Sequence, residues 1–60
     1  MADKLSIVVA DDHPLLRQGV VQVLSAEDDF VVVGEAGTGE EALRLAVDLV
    51  PDLMVIDLDM

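Results

Sequence analysis

The sequence predicts a parallel α/β fold in which strands and helices alternate along one chain. Three short apolar runs, at 5–10, 30–36 and 53–56, are rich in Val and Ile, as is typical of strands buried in a parallel sheet. The two segments between them, 14–25 and the stretch that ends before Pro51, repeat apolar residues at helical spacing. This alternation indicates parallel βαβ units with right-handed crossovers.

The first strand and helix meet at an acidic pair. The run Leu5-Ser-Ile-Val-Val-Ala10 stops at Asp11 and Asp12. Pro14 suits the first turn of a helix, with Asp12 or His13 as its cap. The helix is expected from about Pro14 to Ser25, and its apolar face consists of Leu16, Val20, Val23 and Leu24.

The second strand is followed by a capped helix and the third strand. Thr38 and Glu41 have the spacing of a capping box. Pro51 ends the helix, and the third strand ends at Asp57. Turn geometry and helix capping explain the nearby glycines better than a phosphate loop, because no Lys follows them. Those glycines are Gly34, Gly37 and Gly39.

Composition limits the classes of function. A formal net charge of −10 argues against direct nucleic-acid binding, which needs Lys and Arg. A hydrophobic content of 53% opposes disorder, although 60 residues are marginal for an independent fold. The chain has no cysteine, no apolar stretch of about 20 residues that could span a membrane, and no basic start typical of a secretory signal. We therefore expect no membrane partner and a cytoplasmic location.

Three carboxylates are expected to meet at one edge of the sheet. Asp11 and Asp12 end the first strand, and Asp57 ends the third, which is its neighbour in the usual doubly wound order. Like charges this close repel and raise one another's pKa. Mg²⁺ with carboxylate and water ligands would resolve the repulsion, and one carboxylate could then attack phosphorus.

Three segments together resemble a known family. They are Val8-Val-Ala-Asp-Asp-His-Pro14, Val33-Gly-Glu-Ala-Gly-Thr-Gly-Glu-Glu-Ala-Leu43 and Pro51-Asp-Leu-Met-Val-Ile-Asp57. They look like the opening of bacterial response-regulator receiver domains, in particular those of the nitrate-response type. The resemblance implies that residues 1–60 are the N-terminal portion of a receiver, an incomplete β-α-β-α-β half of a flavodoxin-like doubly wound parallel sheet.

The resemblance also implies roles for individual residues. Asp57 would accept a phosphoryl group from a sensor histidine kinase, and Asp11 and Asp12 would hold Mg²⁺ with it. Asp59 would offer its backbone carbonyl to the metal. The protein would be a regulatory phosphoacceptor that assists its own phosphotransfer rather than an enzyme, and it would reach DNA only through an output domain outside this chain. The family's later switch Thr or Ser, its Lys and its last-strand aromatic are not among these residues.

Other interpretations stay open. Val55-Ile-Asp-Leu-Asp59 also resembles the nucleophile motif of haloacid-dehalogenase-type phosphohydrolases, with Asp57 as nucleophile and Asp59 as acid, and a nonfunctional half-domain is a third possibility. His13 is interpreted as a rim residue of the site rather than a transition-metal ligand, and Arg17 and Arg44 as solvated helix charges.

The third strand also predicts self-association. Leu53-Met-Val-Ile56 is apolar and carries no charge that would discourage pairing along an open edge. The chain is therefore expected to be associated or poorly folded rather than a stable monomer. The simplest soluble form is a homodimer joined along the third strands or by exchange of elements.

Overall fold

The computed structural model describes residues 4–57, and every predicted element is present. The elements are β1 (Leu5–Ala10), α1 (Pro14–Ser25), β2 (Phe30–Ala36), α2 (Gly39–Leu49) and β3 (Leu53–Ile56). All three strands are parallel, in the order β2-β1-β3. The predicted fold class is therefore confirmed.

The central strand β1 forms the core of the sheet. Ile7, Val8 and Val9 are fully buried, as the continuous apolar run predicts for a strand covered on both faces. Ala10 pairs with Ala36 of β2 on one side and with Ile56 of β3 on the other. This register brings the residues that follow β1 and β3 next to each other at the carboxyl edge of the sheet.

The opposite end of β1 is tied to β3 by a side-chain clamp. The N–H of Ser6 donates to Asp52 Oδ2 at 2.7 Å, and the N–H of Asp52 donates to Ser6 Oγ at 3.0 Å. These hydrogen bonds place Asp52 beside Ser6, in register with the pairing of Ile7 with Leu53.

The pairing of β1 with β2 contains an irregularity that the sequence analysis did not predict. Ile7 pairs with Val32 but Val8 pairs with Gly34, so one extra residue is accommodated in β2. A Cβ on Gly34 would lie 3.2 Å from Leu49 Cδ1 and 3.3 Å from Leu45 Cδ1. Gly34 lies inside β2, as the predicted strand 30–36 required, but the close approach of the α2 leucines accounts for it and the suggested turn geometry was wrong.

Both ends of α2 have defined conformations. The N–H of Glu41 donates to Thr38 Oγ1 at 3.1 Å, and the Thr38 hydroxyl faces Glu41 Oε1 at 3.3 Å, which confirms the predicted capping pair. At the other end, Val50 is in the left-handed region, with φ 45° and ψ 60°, directly before Pro51. A β-branched residue in this region is strained.

Apolar side chains stay exposed on α1 and β3. No residue of α1 is buried, and Leu15, Leu16 and Val23 are largely exposed. Within residues 4–57, β3 is an edge strand, and Leu53, Val55 and Ile56 are partly exposed. None of the described helices is both long and apolar enough to cross a membrane.

Candidate metal centre

The ends of β1 and β3 hold the acidic residues in place through backbone hydrogen bonds. The N–H of Asp11 donates to the carbonyl of Ala36 at 3.0 Å, and the N–H of Asp57 donates to the carbonyl of Ala10 at 3.0 Å. These bonds continue the strand pairing by one residue beyond β1 and β3. Asp11 and Asp57 are therefore positioned by the sheet and not by a free loop.

Four side chains converge at this edge. One ligand atom from each of Asp11, Asp12, His13 and Asp57 lies within 4.8 Å of the others. The Asp11 side chain is 9% exposed and that of Asp57 is 23% exposed. The expectation that three carboxylates meet here is confirmed, whereas their roles stay predictions. Asp59, the fourth predicted ligand, lies outside the described residues.

His13 reaches further into the cluster than its interpretation as a rim residue suggested. It is the N-cap residue of α1 and its side chain is 61% exposed, as a rim residue would be. Yet its Nδ1 lies 2.9 Å from Asp11 Oδ1, 2.9 Å from Asp12 Oδ1 and 3.6 Å from Asp57 Oδ2. The ring nitrogen thus lies among the carboxylates, although the His13 side chain makes no capping hydrogen bond to α1.

The contacts with His13 reverse one electrostatic expectation. The hydrogen bond from the His13 backbone N–H, aided by the one from its ring, holds the pKa of Asp11 below its ordinary value. Repulsion between carboxylates had predicted a raised pKa, which is wrong for Asp11. In turn, the hydrogen bond to Asp11 and the negative charges of Asp12 and Asp11 raise the pKa of His13.

Arg17 was interpreted as a solvated helix charge, and this was wrong. Its side chain is only 22% exposed, and its Nη1 donates to the carbonyl of Asp11 at 2.8 Å. Its Nε pairs with Glu35 Oε1 at 3.2 Å. The sequence could have indicated this contact, because Arg17 follows His13 by four residues. Residues four apart share one side of a helix, and the acidic pair lies on that side of α1.

The donor atoms at this edge fit a hard divalent cation. Three carboxylates, one of them mostly buried, supply oxygen ligands of the kind that Mg²⁺ takes together with water. The nitrogen of His13 is a ligand that transition metals favour more than Mg²⁺ does. The chemistry of the set is therefore suited to Mg²⁺, with His13 as its one atypical member.

Comparison with known proteins places the chain in a family. The family model described as "Response regulator receiver domain" matches residues 7–60. A nitrate/nitrite response regulator protein homolog from Haemophilus influenzae is 40% identical over all 60 residues. The nitrate/nitrite response regulator protein NarL from Escherichia coli K12 is 51% identical over 55 residues, or 92% of the chain. The chain spans only 29% and 26% of the lengths of these two relatives.

A solved structure gives the same result. The signal receiver domain of a response regulator, NarL, from Mycobacterium tuberculosis superposes with a TM-score of 0.91 at 46% identity. The match covers 93% of this chain and 45% of that one. The alternating fold, the acidic edge and these comparisons lead to one conclusion: the chain belongs to the response regulator receiver domain family.

Proposed function

We propose that this chain is the phosphoacceptor part of a response regulator and that Asp57 takes a phosphoryl group from a sensor histidine kinase. One observation carries the proposal: the Asp57 carboxylate follows β3 and lies within 4.8 Å of ligand atoms of Asp11 and Asp12 at the same edge of the sheet. An aspartate that only ended a strand would not need two other carboxylates beside it.

The chemistry is a nucleophilic substitution at phosphorus. A carboxylate oxygen of Asp57 forms the new P–O bond while the P–N bond of the donor phosphohistidine breaks, and the imidazole leaves. The partly buried setting of Asp57 limits competing attack by water.

Asp11, Asp12 and Asp57 would hold Mg²⁺, with the Asp59 carbonyl as a further proposed ligand. When bound, the ion offsets the negative charge on the transferring phosphoryl oxygens. Without it, three carboxylates would face the negative charge of the phosphoryl donor. We therefore expect phosphorylation to depend on a divalent cation.

The domain assignment and the partners are part of the same proposal. Residues 1–60 would be the N-terminal portion of a receiver, which agrees with the 45% coverage of the solved receiver chain. The names of its relatives as response regulators support a histidine kinase as partner and contact with DNA only through an output domain. A cytoplasmic location stays a prediction.

Self-association is proposed for the chain in isolation. Among the described strands, β3 has no neighbour on its outer side, and Leu53, Val55 and Ile56 leave apolar surface there. Such an edge can pair with another strand, and a two-fold dimer would satisfy both edges at once.

The phosphohydrolase alternative accounts for less of the structure. It uses Asp57 and Asp59 but gives no role to Asp11 and Asp12, which converge on Asp57. The two functions differ in the lifetime of the phosphorylated chain: a phosphoacceptor accumulates it, whereas a hydrolase discharges it rapidly and does not.

The test is phosphorylation of the chain by acetyl phosphate, followed by intact mass. We expect one phosphoryl group per chain with Mg²⁺, none after Asp57→Asn, and normal labelling after Asp48→Asn, which changes an exposed carboxylate on α2. Equal labelling of the Asp57→Asn variant would overturn the assignment. Rapid release of many equivalents of phosphate with no phosphorylated chain accumulating would favour the hydrolase.

A further inference from the structure

We propose that Arg17 is a positioning residue for the metal centre, which it serves by holding the backbone of Asp11. The inference rests on the proposed function only for the identity of the centre. The contacts of Arg17 themselves belong to the fold, and they can be measured without any metal.

The guanidinium of Arg17 joins three elements at one point. Nη1 donates to the carbonyl of Asp11 at 2.8 Å and to the carbonyl of Ala36 at 3.4 Å. Nε donates to Glu35 Oε1 at 3.2 Å. An arginine in the first turns of α1 thereby spans the carboxyl ends of β1 and β2.

The Asp11 peptide is consequently held on both sides. Its N–H donates to the carbonyl of Ala36, and its own carbonyl accepts from Arg17. The Ala36 carbonyl also accepts a hydrogen bond from Arg17 Nη1, so Asp11, Ala36 and Arg17 form one closed set of hydrogen bonds. With its N–H and its carbonyl both engaged, Asp11 has little freedom in its backbone angles, which fixes the position of its Cβ and so the point from which its carboxylate extends.

The space around the guanidinium is closely fitted. A Cβ on Gly37 would lie 3.1 Å from Arg17 Nη1, so the absence of a side chain there leaves room for the guanidinium. The side chain of Arg17 is 22% exposed. Arg44, on the other helix, is exposed and serves as the matched comparison.

The functional consequence follows from the geometry that Mg²⁺ requires. Mg²⁺ requires ligands in near-ideal octahedral geometry. A small rotation of the Asp11 backbone would move one ligand out of place and tilt the adjacent Asp12 as well. Loss of groups that orient metal ligands typically costs about 10- to 100-fold in affinity. A purely structural Arg17 would instead lower the stability of the whole fold and leave the affinity of folded molecules unchanged.

The first measurement is amide hydrogen exchange on the metal-free 60-residue chain. We expect Arg17→Gln to accelerate exchange at Asp11 and His13 by about 10-fold relative to the amides of Ile7 and Val8, and Arg44→Gln to change neither group. A uniform acceleration along β1 would show a global stabilising role and would overturn the proposal, as would no change at Asp11.

The second measurement is Mn²⁺ affinity, followed by the electron paramagnetic resonance of free Mn²⁺. We expect Arg17→Gln to weaken binding by about 10-fold or more and Arg44→Gln to leave it within about two-fold. If far-UV circular dichroism shows that Arg17→Gln does not fold, Arg17→Lys takes its place. The compact ammonium of Lys cannot reproduce the planar fork of donors of the guanidinium, so Mn²⁺ binding should still weaken by about three-fold or more.

The outcomes separate the two proposals. Unchanged Mn²⁺ affinity in the folded Arg17 variants would overturn the positioning role and leave the proposed function intact. An unmodified chain that binds no Mn²⁺ would count against the proposed centre, while the exchange rates at Asp11 would still decide whether Arg17 holds that peptide.

Discussion

Oδ1 of Asp11 accepts two hydrogen-bonding contacts from one neighbour, His13: the backbone N–H lies at 2.8 Å and the ring Nδ1 at 2.9 Å. An ionised carboxylate can only accept, so the ring contact is a hydrogen bond when Nδ1 carries the proton. The same Nδ1 lies 2.9 Å from Asp12 Oδ1. The His13 Nδ1 therefore contacts the same Asp11 and Asp12 oxygens that would coordinate a cation.

Removal of this ring should strengthen cation binding. In His13→Asn, Mg²⁺ no longer has to displace contacts from Nδ1 to Asp11 and Asp12, and the net worth of such bonds corresponds to an affinity gain of about 3- to 10-fold. Isothermal titration with Mg²⁺ measures the change. Weaker binding in His13→Asn would instead identify the imidazole as a ligand, and unchanged binding would mean that the ring leaves the cluster at no cost.

The C-terminal end of α2 should be open to stabilisation. Val50 has a φ of 45° and is 76% exposed, so its strain is offset by little burial. Left-handed backbone costs an L-residue about 1–2 kcal/mol, and Val50→Gly should raise the free energy of unfolding by about 1 kcal/mol. Urea denaturation followed by circular dichroism is the measurement.

A second glycine in the same helix controls for its general effect. Val47 is also exposed but has ordinary helical surroundings, so Val47→Gly should lower the free energy of unfolding by several tenths of a kcal/mol, roughly the propensity difference. Destabilisation by both substitutions would show that Val50 is not strained.

Association of the chain should depend on the β3 edge. Light scattering after size exclusion should show a dimer or larger species, and moderate salt should favour association because it screens the net charge of −10. Val55→Lys places a charge on the edge strand and should shift the chain toward monomer. Leu43→Lys, which changes a more exposed leucine on α2, should not. A compact monomer with a cooperative melt at both low and moderate salt contradicts this account of β3.

The elements could be predicted from the sequence because their signals are local. The β1 run is apolar throughout and stops at two aspartates, and Pro14, Thr38 and Pro51 mark helix ends by their own chemistry. The convergence of Asp11 with Asp57 was predictable for a different reason, since parallel topology alone brings strand ends together.

The features that escaped prediction depend on contacts between distant residues. The extra residue in β2 lies beside Gly34, where the leucines of α2 pack on the sheet, and no local pattern encodes either feature. The orientation of the Arg17 side chain toward the sheet and of the His13 ring toward Asp11 depends on torsions that helical spacing leaves open.

The phosphoacceptor itself can be located by chemistry. Borohydride reduces an aspartyl phosphate to homoserine, so acetyl phosphate and Mg²⁺ followed by reduction mark the reacting residue permanently. Trypsin cleaves after Lys4, Arg17 and Arg44, which leaves Asp11 and Asp12 in one peptide, 5–17, and Asp57 in another, 45–60. Tandem mass spectrometry should find homoserine at position 57 alone, and only when Mg²⁺ was present. Homoserine at position 59, or in peptide 5–17, would contradict the assignment of Asp57.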